Sequence, residues 1–279
     1  MRTSFWRDRH VVVTGGTSGI GLAVVERLAG AEARVTVLGL DDGCARDLAA
    51  RKLPGVLVVP TDVTDSDQVV RTLDAARAQN GPIRSLITCA GIVKPGYFEE
   101  LGDDDLRRHM EVNYFGTLIP IRRALPDLLA APGATLTCIA SAAGLVGVFG
   151  YGGYSPSKFA VRGLCEVLRQ EYKPLGLTVT AVYPPDVDTP MLTGEQRLKP
   201  AELLALSDGS HPMTAAAVAA ALLDGTEAGR ASVVPGVGTK AIRWAAGTTP
   251  GLLTRYADAK IAKARAKRLN AAVTTAPPR

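Results

Sequence analysis

The sequence has no uninterrupted apolar run of the ~18 residues that a membrane-crossing helix needs, so no transmembrane segment is expected. Its opening, Met1 to His10, is rich in arginine and lacks the apolar stretch of a secretion signal. Cysteine is scarce. Cys44, Cys89, Cys138 and Cys165 show no metal-ligand spacing, so no metal is expected, and Cys89 and Cys138 lie in apolar runs that read as interior strands. Buried thiols of this kind suit a reducing compartment, and a cytoplasmic location follows as an expectation. There is no internal repeat. Strong charge of one sign is also missing: the formal net charge is only +5, and much of the excess sits in Lys260, Lys263, Arg265, Lys267 and Arg268. Such an excess speaks to solubility and weak attraction to anions, and no nucleic-acid partner is expected. We read the basic end as a solvated tail, with peripheral contact to an acidic membrane as the lesser alternative.

What is present fits one α/β domain over residues 1–279: the composition is 47% hydrophobic and 21% charged, enough for a core of its own. Short β-branched runs recur at His10 to Val13, Val35 to Leu38, Val56 to Val59, Leu86 to Cys89, Thr135 to Ile139, Val179 to Tyr183 and Ser232 to Val234. Amphipathic stretches separate them, including Ile20 to Ala29, Ser66 to Gln79, Asp105 to Leu129 and Ser157 to Tyr172. The alternation predicts a doubly wound, seven-stranded parallel sheet with helices on both faces, because right-handed crossovers put them there. The segment Met191 to Met213 breaks the rhythm with Gly, Pro and mixed charge after the sixth strand, and reads as a substrate-side lid. Residues 237–279 read as an extension. Leu252, Leu253, Tyr256, Ala257, Ile261 and Ala264 suggest a helix near the lid, with disorder expected from Ala271 to Arg279.

The first strand runs straight into Thr14-Gly15-Gly16-Thr17-Ser18-Gly19-Ile20-Gly21 and then a helical pattern. A strand, a glycine turn and a helix N-terminus together suit a pyrophosphate: glycine lets the backbone approach, and the helix end offers free N–H groups and the positive end of its dipole. The spacing is not the usual GxGxxG, and a plain glycine turn is the alternative. The second strand ends at Leu38-Gly39-Leu40-Asp41-Asp42, with no Arg or Lys to receive a 2′-phosphate. Asp41 is placed to accept hydrogen bonds from ribose hydroxyls, which leans towards NADH; the alternative makes it the cap of the next helix. Asp62-Val63, just past the third strand, is placed to meet an adenine, unless Asp62 caps the helix that follows.

The fifth strand ends in Ser141, and Tyr154-Ser155-Pro156-Ser157-Lys158 opens an amphipathic helix. Tyr154 and Lys158 share a helix face, so an ammonium close to the phenol should favour phenolate and bring its pKa towards working pH. Ser141 can donate to a carbonyl oxygen at the same spot. Asn113, flanked by Val112 and Phe115, should point inward, where a bound water linking it to Lys158 would satisfy its amide. Reducing a ketone with hydride needs such a donor and such an acid.

Taken together, the glycine turn, Asn113, Ser141 and the Tyr154/Lys158 pair resemble the short-chain dehydrogenase/reductases over residues 8–236. The resemblance implies a sheet order 3-2-1-4-5-6-7 and a catalytic tetrad of Ser141, Tyr154, Lys158 and Asn113. It also implies homodimers or homotetramers formed through the helices at 105–129 and 155–173. Around the NAD(P)(H) it places Gly15, Thr17, Ser18, Gly19, Ile20, Gly21, Leu40, Asp41, Asp62 and Val63, then Cys89-Ala90-Gly91 where the family usually has Asn-Ala-Gly. Asn113, Tyr154 and Lys158 complete that set, with the turn at Pro184, Val187 and Thr189 against the nicotinamide carboxamide. Cys89-Ala90-Gly91, Pro184-Pro185-Asp186 and Tyr154 to Leu164 resemble the 3-ketodihydrosphingosine (3-dehydrosphinganine) reductases, which implies reduction of a long-chain 3-keto amine, typically with NADPH. Leu40 stands where those enzymes commonly carry Arg, the membrane-seeking hydrophobic ends of eukaryotic members have no counterpart, and the Ala- and Arg-rich composition resembles bacterial members. A 3-oxoacyl thioester reductase or another secondary alcohol dehydrogenase is the alternative of the same chemistry. A catalytically silent nicotinamide-binding regulator is the alternative of another class.

Overall fold

A computed structural model describes residues 1–208 and 211–274 of this chain, with side chains through residue 268. In chain order the elements are α1 (Thr3–Trp6), β1 (His10–Thr14), α2 (Gly19–Gly30), β2 (Arg34–Gly39), α3 (Gly43–Ala50), β3 (Val56–Pro60), α4 (Ser66–Asn80) and β4 (Ser85–Thr88). There follow α5 (Asp103–His109), α6 (Gly116–Ala130), β5 (Thr135–Ile139), α7 (Tyr154–Tyr172), β6 (Thr178–Val182), β7 (Val187–Asp188), α8 (Pro190–Gln196) and α9 (Ala201–Ser207). The chain closes with β8 (Met213–Thr214), α10 (Ala215–Glu227), β9 (Ser232–Val233), α11 (Val237–Thr248) and α12 (Pro250–Thr274). Seven strands form one parallel sheet in the order β3-β2-β1-β4-β5-β6-β9, the expected 3-2-1-4-5-6-7 with β9 as the seventh.

The strands read as unbroken apolar runs because both faces of the sheet are covered. Val11 and Val13 of β1 pack with Val35 and Val37 against α2 and α10, while Val12 points the other way into a core with Leu86, Leu136 and the inner faces of α4, α6 and α7. Each such fully buried aliphatic side chain contributes about 1.5–3 kcal/mol, so the two layers stabilise the same sheet independently. The order reverses at β1/β4, and a crevice opens there beyond the strand ends.

The structure refines the sequence reading in several places. The helix expected over Asp105 to Leu129 is interrupted: Met110–Phe115 forms a π-helical turn between α5 and α6. The segment Met191 to Met213 contains most of α8 and all of α9, and a small parallel pair at its flanks, Val187↔Met213 and Asp188↔Thr214, joins its two ends. The basic extension is docked rather than solvated: α12 lies on α9, with Lys260 Nζ donating to the Ala205 carbonyl at 3.3 Å and Arg265 and Arg268 at 3.6 and 3.8 Å from buried Glu202. The stripe on α12 also divides, since Leu253, Ala257, Ile261 and Ala264 are half-buried whereas Leu252 and Tyr256 are exposed. The helix continues past Ala271 to Thr274, where disorder is the sequence-based expectation, and residues 275–279 lie outside the described residues. Among the described residues no helix is long and apolar enough to cross a membrane.

Candidate active site

A cavity of about 1230 Å³ runs from the glycine turn, over the ends of β4, β5 and β6, to the lid and the extension. That exceeds the roughly 300–1,000 Å³ of a site for one drug-sized ligand, and leaves room for a dinucleotide and a substrate side by side.

At one end Gly15 has φ +63°, and a Cβ there would sit 2.6 Å from the Ala90 backbone; a Cβ on Gly21 would sit 2.1 Å from the Gly15 carbonyl oxygen. Only glycine allows β1, the β4 end and the first turn of α2 to close this tightly. The α2 N-cap, Ser18, makes no side-chain cap bond, so the first N–H groups of the helix are left for a ligand. Gly15, Thr17, Ser18, Gly19, Ile20 and Gly21 all line the cavity. This cradle, which a side chain would fill, fits the pyrophosphate of a dinucleotide. Thr14 Oγ1 accepts from Cys89 N and Ala90 N at 3.2 and 3.3 Å, which ties the β1 and β4 ends together and sets Cys89, Ala90 and Gly91 along the cavity floor.

Leu40, Asp62 and Val63 line the adenosine end, but Asp41 does not. Its carboxylate is turned outward to Arg46 at 3.0 Å, and Asp42 both caps α3 through Ala45 N at 2.9 Å and faces the cavity. The α3 cap is thus Asp42, one residue later than the sequence reading placed it, and Asp42 is also the carboxylate of this pair that faces the cavity. Asp62 does not cap α4, because Asp65 does; it instead holds its own turn by accepting from Thr64 N and Oγ1 at 2.9 and 2.7 Å.

In the centre, Ser141 ends the β5 strand run, its Oγ accepting from Ala143 N at 3.1 Å, and it lies close enough to the Tyr154 phenol, which faces the cavity at the start of α7, to lower its pKa. Burial pushes the phenol up to about 12, against the pull of Ser141 and with the carboxylates of Glu195 and Asp186 adding to the rise. Lys158 is buried, donates to the Ile139 carbonyl at 3.1 Å, and lies 5.7 Å from the Tyr154 ring centroid. Burial pulls its ammonium down to about 8, opposed by the Cys89 and Cys138 thiols. Burial outweighs the pull of Ser141, and Lys158 is not among the groups that move the phenol here, so Tyr154 is held as a neutral phenol at neutral pH, the form required of a proton donor.

Asn113 does point inward, from the π-helical turn, and is fully buried. Its Oδ1 accepts from Ile92 N at 2.8 Å and its Nδ2 donates to Ile92 O and Ser157 Oγ at 3.1 and 2.8 Å. Protein groups satisfy the amide, so the water bridge to Lys158 is not needed for that purpose, and Asn113 does not line the cavity. Its bonds fix the loop after β4 and the first turn of α7 relative to each other. A π turn is suited to this because its extra residue re-aims one side chain without ending the helix.

Pro184, Val187 and Thr189 line the cavity opposite the glycine turn. Thr189 caps α8 through Leu192 N at 3.4 Å, and its Cγ2 is 3.0 Å from where a Gly19 Cβ would lie, so the start of the lid rests on the cofactor turn. Sequence reasoning missed two cavity-lining groups, Tyr151 and Glu195, and two buried ones, His109 and Lys199. His109 donates from Nδ1 to Asp105 O at 2.7 Å and accepts Lys94 N at 3.0 Å, a buried neutral ring stacked edge-on to Tyr154. The other three cluster under the lid. The only trace they leave in the sequence is Glu195 and Lys199 at helical spacing.

Comparison with known proteins agrees with the geometry. A family model described as short chain dehydrogenase matches residues 9–199. The 3-ketodihydrosphingosine reductase of Dictyostelium discoideum is 35% identical over 90% of this chain and 80% of its own length. The 3-dehydrosphinganine reductase of Danio rerio is 38% identical over 72% of this chain, and the match spans 63% of that protein, under two thirds of its length. Among solved structures, levodione reductase superposes with a TM-score of 0.76 at 25% identity, covering 84% of this chain and 98% of that one. A matched family model over most of the sheet, a cradle for a dinucleotide and a neutral phenol beside it lead to one conclusion: the chain belongs to the short chain dehydrogenases, NAD(P)-dependent oxidoreductases that act on CH–OH groups.

Proposed function

We propose that this enzyme reduces the 3-keto group of a long-chain amino ketone of the 3-ketodihydrosphingosine type, with Tyr154 as the acid. The observation that carries the reading is the neutral Tyr154 phenol, lying with Ser141 in the cavity between its glycine-turn end and an apolar half. That second half is walled by Val148, Phe149, Leu203, Ile242, Leu253 and Ile261, a surface suited to an alkyl chain. The names of the most similar relatives support the same substrate class.

When bound, a reduced nicotinamide supplies hydride to the carbonyl carbon. Ser141 donates to the carbonyl oxygen and polarises it, Tyr154 gives its proton to the forming alkoxide, and the Lys158 ammonium stabilises the phenolate left behind. Asn113 acts through position, holding the first turn of α7. The segment Met191 to Met213 serves as the lid, and residues 8–236 as the catalytic core, within a single domain. NADH is the favoured cofactor: Leu40, Asp42, Asp62 and Val63 form the adenosine end, and the carboxylates there repel a 2′-phosphate. Phe115, Leu129, Phe159 and Val167 are exposed on the π-helical turn, α6 and α7, which supports assembly as homodimers or homotetramers through those helices. Four free thiols, with Cys138 and Cys165 buried, support a reducing, cytoplasmic location.

A kinetic panel tests the reading. Long-chain 3-keto amines, 3-oxoacyl thioesters and simple cyclic ketones are each offered with NADH and with NADPH. The 3-keto amine should give the highest kcat/KM, and NADH should exceed NADPH by about tenfold or more, the worth of one unfavourable charge contact. Preference for a thioester would overturn the substrate class, and preference for NADPH would overturn the cofactor assignment.

A further inference from the structure

The lid side of the cavity contains more negative charge than its own groups neutralise. Glu195, from α8, and Asp186, from the turn after β6, both line the cavity, whereas Lys199 lies behind them. Lys199 Nζ is 2.8 Å from Glu195 Oε1 and 3.6 Å from Asp186 Oδ2, and its side chain is 2% exposed. Two carboxylates share one ammonium, which leaves a net charge of −1 when all three are ionised. Glu195 and Lys199 are buried, whereas the Asp186 side chain is 35% exposed, so the unpaired charge is the one that faces the cavity. Glu195 is anchored from the other side, with the Tyr151 hydroxyl donating to its two oxygens at 3.3 and 3.2 Å. Asp186 is held more loosely: its distance from Lys199 exceeds an ordinary hydrogen bond, so its lone pairs remain for another donor.

The position of this charge is informative. The Tyr151 ring stands edge-on to the Tyr154 ring with centroids 5.2 Å apart, and its hydroxyl donates to Glu195, so Tyr151 bridges the proton donor and the carboxylates. Both carboxylates are close enough to act on the Tyr154 phenol. A ligand whose carbonyl sits at Ser141 and Tyr154 shares one cavity with Asp186 and Glu195. The other charged cavity residues on this side, Arg108 and Asp258, belong to α5 and α12 and are exposed at the rim.

We propose that Asp186 and Glu195 form a subsite for a substrate ammonium group carried on the carbon next to the reacting carbonyl, with Lys199 and Tyr151 holding the pair in place. The proposal rests on the amino-ketone reading above and assigns the residues that separate an amino ketone from a 3-oxoacyl thioester, which has no cation there. Pairing of the incoming ammonium with Asp186 neutralises the excess charge, and Tyr151 keeps Glu195 turned towards it.

The test is a ratio of kcat/KM values: 3-ketodihydrosphingosine against the same hydroxyketone lacking the 2-amino group, in the native protein, Asp186→Asn and Glu195→Gln. The ratio does not depend on what fraction of a preparation is folded, so a variant that folds poorly still reports. The native protein should prefer the amino ketone by about 10- to 100-fold, the scale of a hydrogen bond to a charged group. In Asp186→Asn the ratio should fall to near one, and Glu195→Gln should lower it in the same direction. A native ratio near one overturns the subsite while leaving ketone reduction intact, and so does a ratio that neither variant changes. Absence of turnover on both ketones, with turnover of a thioester, overturns the amino-ketone reading and the subsite with it.

Discussion

Replacing Tyr154 with Phe should reduce ketone turnover by at least about 10²–10⁴-fold, the range supplied by a positioned general acid, while leaving cofactor affinity within a few-fold of native. The phenol faces the cavity and is neutral at working pH, because burial holds it at about 12. Removing its oxygen removes the proton that must reach the alkoxide. The fold should survive. The ring still packs edge-on against Tyr151 and His109. The readout is kcat for ketone reduction beside the fluorescence-detected affinity for NADH. Near-native kcat in Tyr154→Phe would remove Tyr154 from the mechanism.

The second large effect concerns Lys158. Substituting Met keeps most of the volume of the side chain but deletes the buried charge, and kcat/KM should fall by about 10²–10³-fold, as when one preorganised electrostatic group is lost. The pH profile distinguishes this role from a merely structural one. Burial lowers the Lys158 pKa to about 8, so the ammonium is present below that pH and lost above it. If the ammonium stabilises the phenolate formed as Tyr154 gives up its proton, native kcat/KM for reduction is flat on the acid side and falls as pH rises through about 8. Tyr154 itself titrates too high to produce this limb. In Lys158→Met the inflection should be gone. An inflection that persists in the variant would assign it to another group.

Much of the fold was legible because its physics is local. Strands covered on both faces appear as continuous β-branched runs, and the Gly15 to Gly21 turn announces a tight β–α junction by composition alone. Tyr154 and Lys158 at helical spacing likewise placed the centre of the site. What could not be read depends on contacts between distant segments. The π-helical turn at Met110–Phe115 is invisible to an apolar period of 3.6, because one extra residue hardly disturbs the pattern over so short a stretch. The partners of Asn113 come from Ile92 and Ser157, far away in sequence. Asp41 and Asp42 are adjacent carboxylates, and only the backbone path at the end of β2 decides which caps α3 and which pairs with Arg46. The lid showed mixed charge without a role, since Glu195 and Lys199 acquire one only when α8 folds back beside Asp186 and Tyr151. The basic extension misled for the same reason: Arg265 and Arg268 find Glu202 only once α12 lies on α9.

The central claim is hydride transfer to the carbonyl carbon of a long-chain amino ketone, and a single-turnover experiment addresses it most directly. The full-length protein is mixed with 3-ketodihydrosphingosine and NADH carrying two deuterons at nicotinamide C4, and the amino alcohol formed is analysed by mass spectrometry. One deuteron should appear on the carbon that bore the ketone, at a yield matching the NADH oxidised. Unlabelled ketone recovered intact, while a 3-oxoacyl thioester or a simple cyclic ketone takes up the label under the same conditions, would contradict it.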